Sequence, residues 1–163
     1  MGKRALIVSD SHGRNDDVKA AIEQVGHIDM LIHLGDIEGG ENYIRSLVDC
    51  PVHMVAGNND YSLQLPQYEL IDFEGYRILI THGHKYYVNS GLLRLELFAM
   101  EMKAHVAMFG HTHVPYLNRD GRCVLLNPGS ISYPRQEGRK RTFALIEIDN
   151  NGVLQFYTGE LKK

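Results

Sequence analysis

The sequence has only two cysteines in 163 residues, no apolar run long enough to span a membrane, and no excess of basic charge. Cys50 and Cys123 stand far apart and belong to no CxxC or Cys/His cluster, which argues against a thiolate metal site or a disulfide framework. They read as small buried apolar side chains, and free thiols fit a reducing compartment. The apolar run from Ala5 to Val8, after Lys3-Arg4, is too short for a signal-peptide core. No other stretch approaches the roughly 20 residues of a membrane helix. Gly2 is not a myristoylation site, because Leu6 stands where Ser or Thr is required. A cytoplasmic location is therefore the expectation. The net charge of −3 leaves no broad basic surface and no acidic tail, so neither nucleic acid nor membrane is expected as a partner. Self-association stays open. No repeat, low-complexity tract or linker interrupts the chain, and its length fits one domain over residues 1–163.

What is present begins as an α/β pattern. Ala5 to Ser9 reads as a strand buried on both faces. Asn15 is placed to cap a helix in which Val18, Ala21, Ile22 and Val25 recur at helical spacing, with Asp16 and Asp17 in its first turn. Met30 to Leu34 and Val52 to Ala56 read as further strands, separated by a weaker helix over 40–48. The β-α-β-α-β order predicts a parallel sheet. Later segments differ: a hairpin of Tyr68 to Phe73 and Tyr76 to Thr81 turning at Glu74-Gly75, a helix from Ser90 to about Met102, and a strand from His105 to Phe109. Tyr116 to Asn118, Cys123 to Leu126, Thr142 to Ile148 and Val153 to Thr158 complete the strands. The pattern predicts parallel strands first and antiparallel ones later, in two packed sheets.

Five polar segments follow predicted strands: Asp10-Ser11-His12, Gly35-Asp36, Gly57-Asn58-Asn59-Asp60, His82-Gly83-His84 and Gly110-His111-Thr112-His113. In open α/β sheets, ligand groups gather at the carboxyl ends of strands. Three of the segments carry ligand-type residues at i and i+2, which extended backbone would send to the same side. Oxygen and imidazole donors without thiolate suit manganese, iron, zinc, nickel or magnesium, and manganese is the expected ion. Asp10, His12, Asp36, Asn58, His82, His111 and His113 are too many for one tetrahedral site and suit two metals sharing a carboxylate bridge. Such a pair, roughly 3.5–4 Å apart, clamps a phosphoryl displacement and acidifies a shared water that serves as nucleophile. Two divalent cations against two aspartates and one hydroxide leave roughly one positive charge to attract a phosphate ester.

The ordered motifs DxH, GD, GN, HG and GHxH resemble the calcineurin-like metallophosphoesterase superfamily. Gly57-Asn58-Asn59-Asp60 and Asn127-Pro128-Gly129-Ser130, in so short a chain, are similar to its small bacterial and archaeal phosphodiesterases. The resemblance runs from Ala5 to about Arg135. It implies a two-sheet αββα sandwich, with Asp10, His12, Asp36 and His113 holding one metal. Asp36 bridges to a second held by Asn58, His82 and His111, and Asp36, Asn58 and His111 carry the catalytic role. The implied activity is a dinuclear phosphodiesterase acting on a small phosphate ester. A phosphomonoesterase or nucleotide phosphatase would use the same core, and the retromer subunit of this fold, which lacks a full ligand set, serves mainly as a protein-binding surface. Many superfamily members carry a histidine after the GN asparagine; here Asn59 stands there, able to bind substrate by a hydrogen bond but not to act as a general acid.

Other polar residues read as structural. His33, His53 and His105 lie inside predicted strands, His27 in a loop, and Asp60 reads as a turn residue. His84 is as well placed for a surface or supporting role as for the site. Asn127-Pro128-Gly129 reads as a rigid turn. Arg135, Arg139, Lys140 and Arg141 read as a solvated basic loop, and the leucines and methionines after Ser90 as core or subunit contact.

Overall fold

The computed structural model describes residues 2–61 and 64–162. The first strand, β1 (Arg4–Val8), lies at the middle of a five-stranded sheet. It runs parallel to β2 (Met30–His33), with Ala5 opposite Met30 and Val8 opposite His33. β2 pairs in parallel with β3 (Val52–Met54). The crossings are made by α1 (Asp16–Val25) and the short α2 (Glu41–Ser46). At its other edge β1 meets the antiparallel β9 (Thr142–Ile148), which pairs with β10 (Leu154–Glu160).

The second sheet holds β4 (Tyr68–Phe73) and β5 (Tyr76–Thr81) as the expected hairpin, then β6 (Val106–Met108), β8 (Val124–Pro128) and β7 (Pro115–Asn118). Against the expectation of antiparallel strands later in the chain, β5, β6 and β8 run parallel, and only the edges β4 and β7 of this sheet are antiparallel.

Period-two alternation builds the layers. Ala5 and Ile7 point into a core between the sheets with Ile32, Ile78, Ile80, Val106 and Met108. Leu6 and Val8 point the other way, under Val18, Ala21 and Ile44 of the first two helices. Leu79, Ala107 and Leu125 meet Leu95 and Ala99 of α3 (Leu93–Glu101) on the outside of the second sheet. The result is the two-sheet αββα sandwich that the family resemblance implied. No helix among the described residues is long and apolar enough to cross a membrane.

Four local expectations fail. The Asn15 side chain makes no capping bond. It accepts from Ser11 Oγ at 2.8 Å and donates to the Gly39 carbonyl at 2.8 Å, so tertiary partners outcompete the helix end. Ser90 falls in a short 3₁₀ turn, and α3 begins only at Leu93, because Gly91, at φ 134°, breaks the helical path. Asn127 and Pro128 close β8 rather than forming the turn themselves: Pro128 lies opposite Pro115, the first residue of the edge strand β7, and the chain bends at Gly129 (φ 76°), whose amide donates to Asn127 Oδ1 at 2.8 Å. The paired ligand residues are not extended: Asp10 and His12 have φ 56° and 47°, His111 and His113 φ 70° and 61°.

Candidate metal centre

The left-handed backbone explains how each pair converges. A left-handed L-residue costs roughly 1–2 kcal/mol, and residues held there cluster at functional sites. Here the turns after β1 and β2 support one another. The Asp10, His12 and Gly13 amides donate to the carbonyls of Gly35, Asp36 and Ile37 at 2.9–3.0 Å. Asp36 and Glu38, at φ 55° and 58°, repeat the alternation. The Asp60 carboxylate accepts from the amides of Gly57 (2.8 Å), Asp36 (2.8 Å), Ile37 (3.0 Å) and Glu38 (2.8 Å), tying the third turn to the second. It is thus the turn residue expected, and a brace under Asp36. Gly57 must lack a side chain, since a methyl there would collide with the Asp36 carboxylate.

Two clusters result. Ligand atoms of Asp10, His12 and His113 lie within 4.8 Å of one another, as do those of Asp36, His82 and His111. The clusters touch. Asp36 Oδ2 is 3.6 Å from His12 Nε2 and 3.4 Å from His82 Nε2; Asp10 Oδ1 is 3.3 Å from His113 Nε2 and 3.7 Å from His82 Nε2. Asn58 stands exposed on the turn after β3. Its neighbour Asn59 donates to Asp36 Oδ1 from its backbone amide (2.9 Å) and to Oδ2 from its side chain (3.1 Å).

The donors fit metal ions. Asp10 Oδ2 is saturated by Ser9 Oγ (2.6 Å) and the His111 amide (3.0 Å). Oδ1 is buried without a hydrogen-bond partner and faces imidazole nitrogens. Buried polar atoms are seldom left this way except at functional sites. His82 Nδ1 donates to the Leu34 carbonyl and His113 Nδ1 to the Tyr133 carbonyl, each at 2.7 Å, while His12 Nδ1 engages Glu38. These bonds place the ring protons on Nδ1 and leave lone pairs on Nε2, the way metal-binding histidines are oriented. His12 Nε2 and His113 Nε2 then face each other at 3.1 Å. Two lone pairs at that distance repel unless a proton or a cation lies between them.

Burial opposes charge on Asp10, yet His82, His113 and His12 hold its carboxyl well below the usual range. Burial also opposes charge on His82, but Asp10 and Asp36 outweigh it and raise that imidazole. His111 is lowered by burial and by His82. His84 is pushed down to about 4 by burial and then by His82 and His111; its ring lies 5.4 Å from that of His82, beside the site and outside both clusters.

The remaining histidines are structural. His33 is buried between Ser11 and Gly35, His53 pairs with Glu69, His105 accepts the Arg77 amide, and His27 is exposed beside Asp29. Sequence reasoning missed Glu38, although the i, i+2 spacing applied to Asp36 points to it. It singled out Ser130 only as part of a motif, without its role of donating from Oγ to the Asp10 carbonyl at 2.8 Å, and it missed the orienting carbonyl of Tyr133. An open cleft of about 500 Å³ beside His12 and His113 is walled by Glu38, Tyr133, Pro134, Arg135 and Arg139, so part of the basic loop faces the site.

This fold and donor set agree with known proteins. The family model of the calcineurin-like phosphoesterase superfamily domain matches residues 4–151. The chain is 32% identical over 154 residues to the probable metallophosphoesterase YsnB of Bacillus subtilis, covering 93% of this chain and 89% of that one. It is 30% identical over 81 residues to the phosphodiesterase YfcE of Escherichia coli, covering 50% of this chain and 40% of YfcE. A crystal structure of a conserved protein of Streptococcus pneumoniae TIGR4, described as a predicted phosphoesterase, superposes with a TM-score of 0.81 at 28% identity, over 98% of this chain and 99% of that one. Vps29 of Entamoeba histolytica, complexed with zinc, shares the fold at a TM-score of 0.74 and 21% identity, over 98% and 99% of the two chains. The chain belongs to the calcineurin-like phosphoesterase superfamily, a family of metal-dependent phosphoester hydrolases.

Proposed function

We propose that this chain is a dinuclear phosphodiesterase. The observation that carries the reading is the pair of ligand clusters joined across Asp10 and Asp36. Asp10, His12, Asp36 and His113 would hold one divalent ion, and Asp36, Asn58, His82 and His111 the other, with manganese the expected metal. When bound, such ions polarise a phosphoryl oxygen and lower the pKa of water. The protein's part is to hold and orient. Leu34, Tyr133 and Glu38 fix the imidazole faces, and Asn59 and Asp60 fix Asp36. The name of YfcE supports diesters over monoesters.

The test is hydrolysis of aryl phosphate diesters and monoesters by the manganese-loaded protein, with elemental analysis of the same sample. Close to two metals per chain and faster turnover of diesters are expected. Less than about half an equivalent of metal defeats the two-metal reading. Because Asn59 offers no acid, and general acid help is typically worth about 10² to 10⁴-fold, rates should fall steeply as the leaving group becomes more basic. A flat series that stays flat in His84→Ala refutes the missing acid; one that turns steep in His84→Ala makes His84 the acid. A binding scaffold is the second reading, favoured by the exposed Leu93, Leu97 and Met100 on α3; it requires neither metal nor turnover.

A further inference from the structure

The cleft beside the His12–His113 cluster has a volume of about 500 Å³, within the roughly 300–1,000 Å³ range of small-molecule sites and far beyond one phosphoryl group. Its far wall is the loop between β8 and β9, which supplies Tyr133, Arg135 and Arg139. This loop is tied to the metal centre and to itself. The Arg135 amide donates to the His113 carbonyl at 3.0 Å, and the Tyr133 carbonyl accepts from His113 Nδ1. The Arg139 amide donates to the Gln136 carbonyl at 3.0 Å, and Gln136 Nε2 to the Lys140 carbonyl at 2.7 Å. Gly138 and Arg139 are both left-handed, at φ 83° and 45°, which doubles the loop back on itself and sets Arg139 on the cleft wall.

The charges in the wall are unevenly engaged. Arg141 pairs with Asp17 at 3.1 Å, whereas among the described residues neither Arg135 nor Arg139 has a carboxylate within 4.0 Å. Glu38, the acid in the lining, is taken by His12. Two exposed guanidiniums without counter-charge therefore face a cleft that opens onto the metal ligands. Guanidinium forks match phosphate oxygens in pairs, and two of them match a dianion in charge. The Tyr133 ring lies 5.6 Å from that of His12 between centroids, at 86° to it, and carries the Arg14 guanidinium 5.6 Å over its centroid.

We propose that Arg135 and Arg139 form a second anion subsite, so that the preferred substrate is a small phosphate ester carrying another phosphoryl group beyond the scissile one. This rests on the phosphoesterase reading for its substrate, but the subsite itself can be tested without turnover. In the metal-stripped full chain, inorganic phosphate titrated calorimetrically should bind, and more weakly as salt is raised. Arg135→Gln combined with Arg139→Gln should weaken binding at least about ten-fold, as expected for lost charge-assisted contacts. Lys140→Ala, a neighbouring cation outside the cleft lining, should leave it unchanged. In the manganese-loaded protein, p-nitrophenyl phenyl phosphate is compared with the same diester bearing a phosphate on the phenyl ring. The kcat/KM ratio should favour the second substrate and fall at least about ten-fold in each single arginine variant. Phosphate binding absent from the parent, or equal in the double variant, overturns the subsite; so does a ratio that the variants do not move. Arginine-dependent phosphate binding in a protein that hydrolyses no ester upholds the subsite and defeats the phosphoesterase reading instead.

Discussion

Asp36 is held at both carboxylate oxygens by Asn59 while Oδ2 reaches toward His12 and His82, so one side chain spans the two clusters. A histidine such as His113 belongs to one cluster only. Asp36→Asn should therefore lower kcat/KM by at least about 100-fold and by more than His113→Ala, since it weakens both sites and makes the water shared between them less acidic. Steady-state hydrolysis of an aryl diester checks this; activity within a few-fold of the parent means that Asp36 does not bridge. Burial and charge also act at His33, whose imidazole is pushed down to about 4 by its buried position despite Asp10 and Asp60 nearby. The Gly35 amide donates to its Nδ1, so its Nε2 donates to Ser11 Oγ. Between the ordinary pKa of 6.5 and about 4, the unfolded chain takes up a proton that the folded one refuses. This contribution is fully present above pH 6.5 and declines by up to about 3 kcal/mol as pH falls toward 4. His12 and His82 are raised and oppose the trend, so the measurement is a difference. Urea midpoints of the metal-stripped parent should fall more steeply from pH 6.5 to 4.5 than those of His33→Gln; parallel slopes contradict the assignment.

At the scale of elements, the turns matter more than the strands they follow. The Asp60 carboxylate collects four backbone amides from two turns, and hydrogen bonds to a charged group are worth about 1.5–3 kcal/mol each. Asp60→Asn keeps the shape and loses half of the accepting capacity. It should cost about 3 kcal/mol, roughly 6–12 °C in melting temperature for a chain of this length. Metal affinity should fall as well, because Asp36 sits on one of the freed amides; calorimetry and metal titration follow the two effects. An unchanged melting temperature removes Asp60 as a brace. These turns also mark how far the sequence could be read. Strand positions were legible because runs such as Ala5 to Val8 and Ile78 to Ile80 are buried by simple periodicity. The ligand types stood beside those runs and were legible with them. Turn conformation was not, because αL backbone at Asp10, His12 and His111 depends on partners far along the chain: Gly35, Asp36 and the Asp10 carboxylate. Asn15 and Ser90 misled for a related reason, since a side chain able to cap a helix takes a tertiary partner when one is nearer, and a helix start yields to a glycine that breaks it.

For the whole molecule, the centre is a junction between its two sheets. Asp10, His12 and Asp36 follow strands of the first sheet; His82, His111 and His113 follow strands of the second. Direct bonds across this seam include His82 to the Leu34 carbonyl and the His111 amide to Asp10. Elsewhere the sheets are joined by the apolar core between them and by polar links near their edges, His53 with Glu69 and the Leu154 amide to the Tyr76 hydroxyl. Ions held at the seam would therefore cross-link the sheets at their carboxyl edge, and anything that binds the folded state alone stabilises it by mass action. At 100 times the dissociation constant that gain is about 2.7 kcal/mol, or roughly 5–10 °C for a chain of this length. Stripping the protein with chelator should lower its melting temperature by about that amount, and adding manganese back should restore it. The control is the pair His82→Ala and His113→Ala, one ligand from each cluster. Each variant should lose part of the metal-dependent shift, and the double variant all of it, while still unfolding cooperatively. A scaffold that keeps the fold without using metal gives the same melting temperature with chelator and with manganese. If the parent behaves that way, the ligand clusters do not hold metal, and the exposed face of α3 becomes the place to look for function.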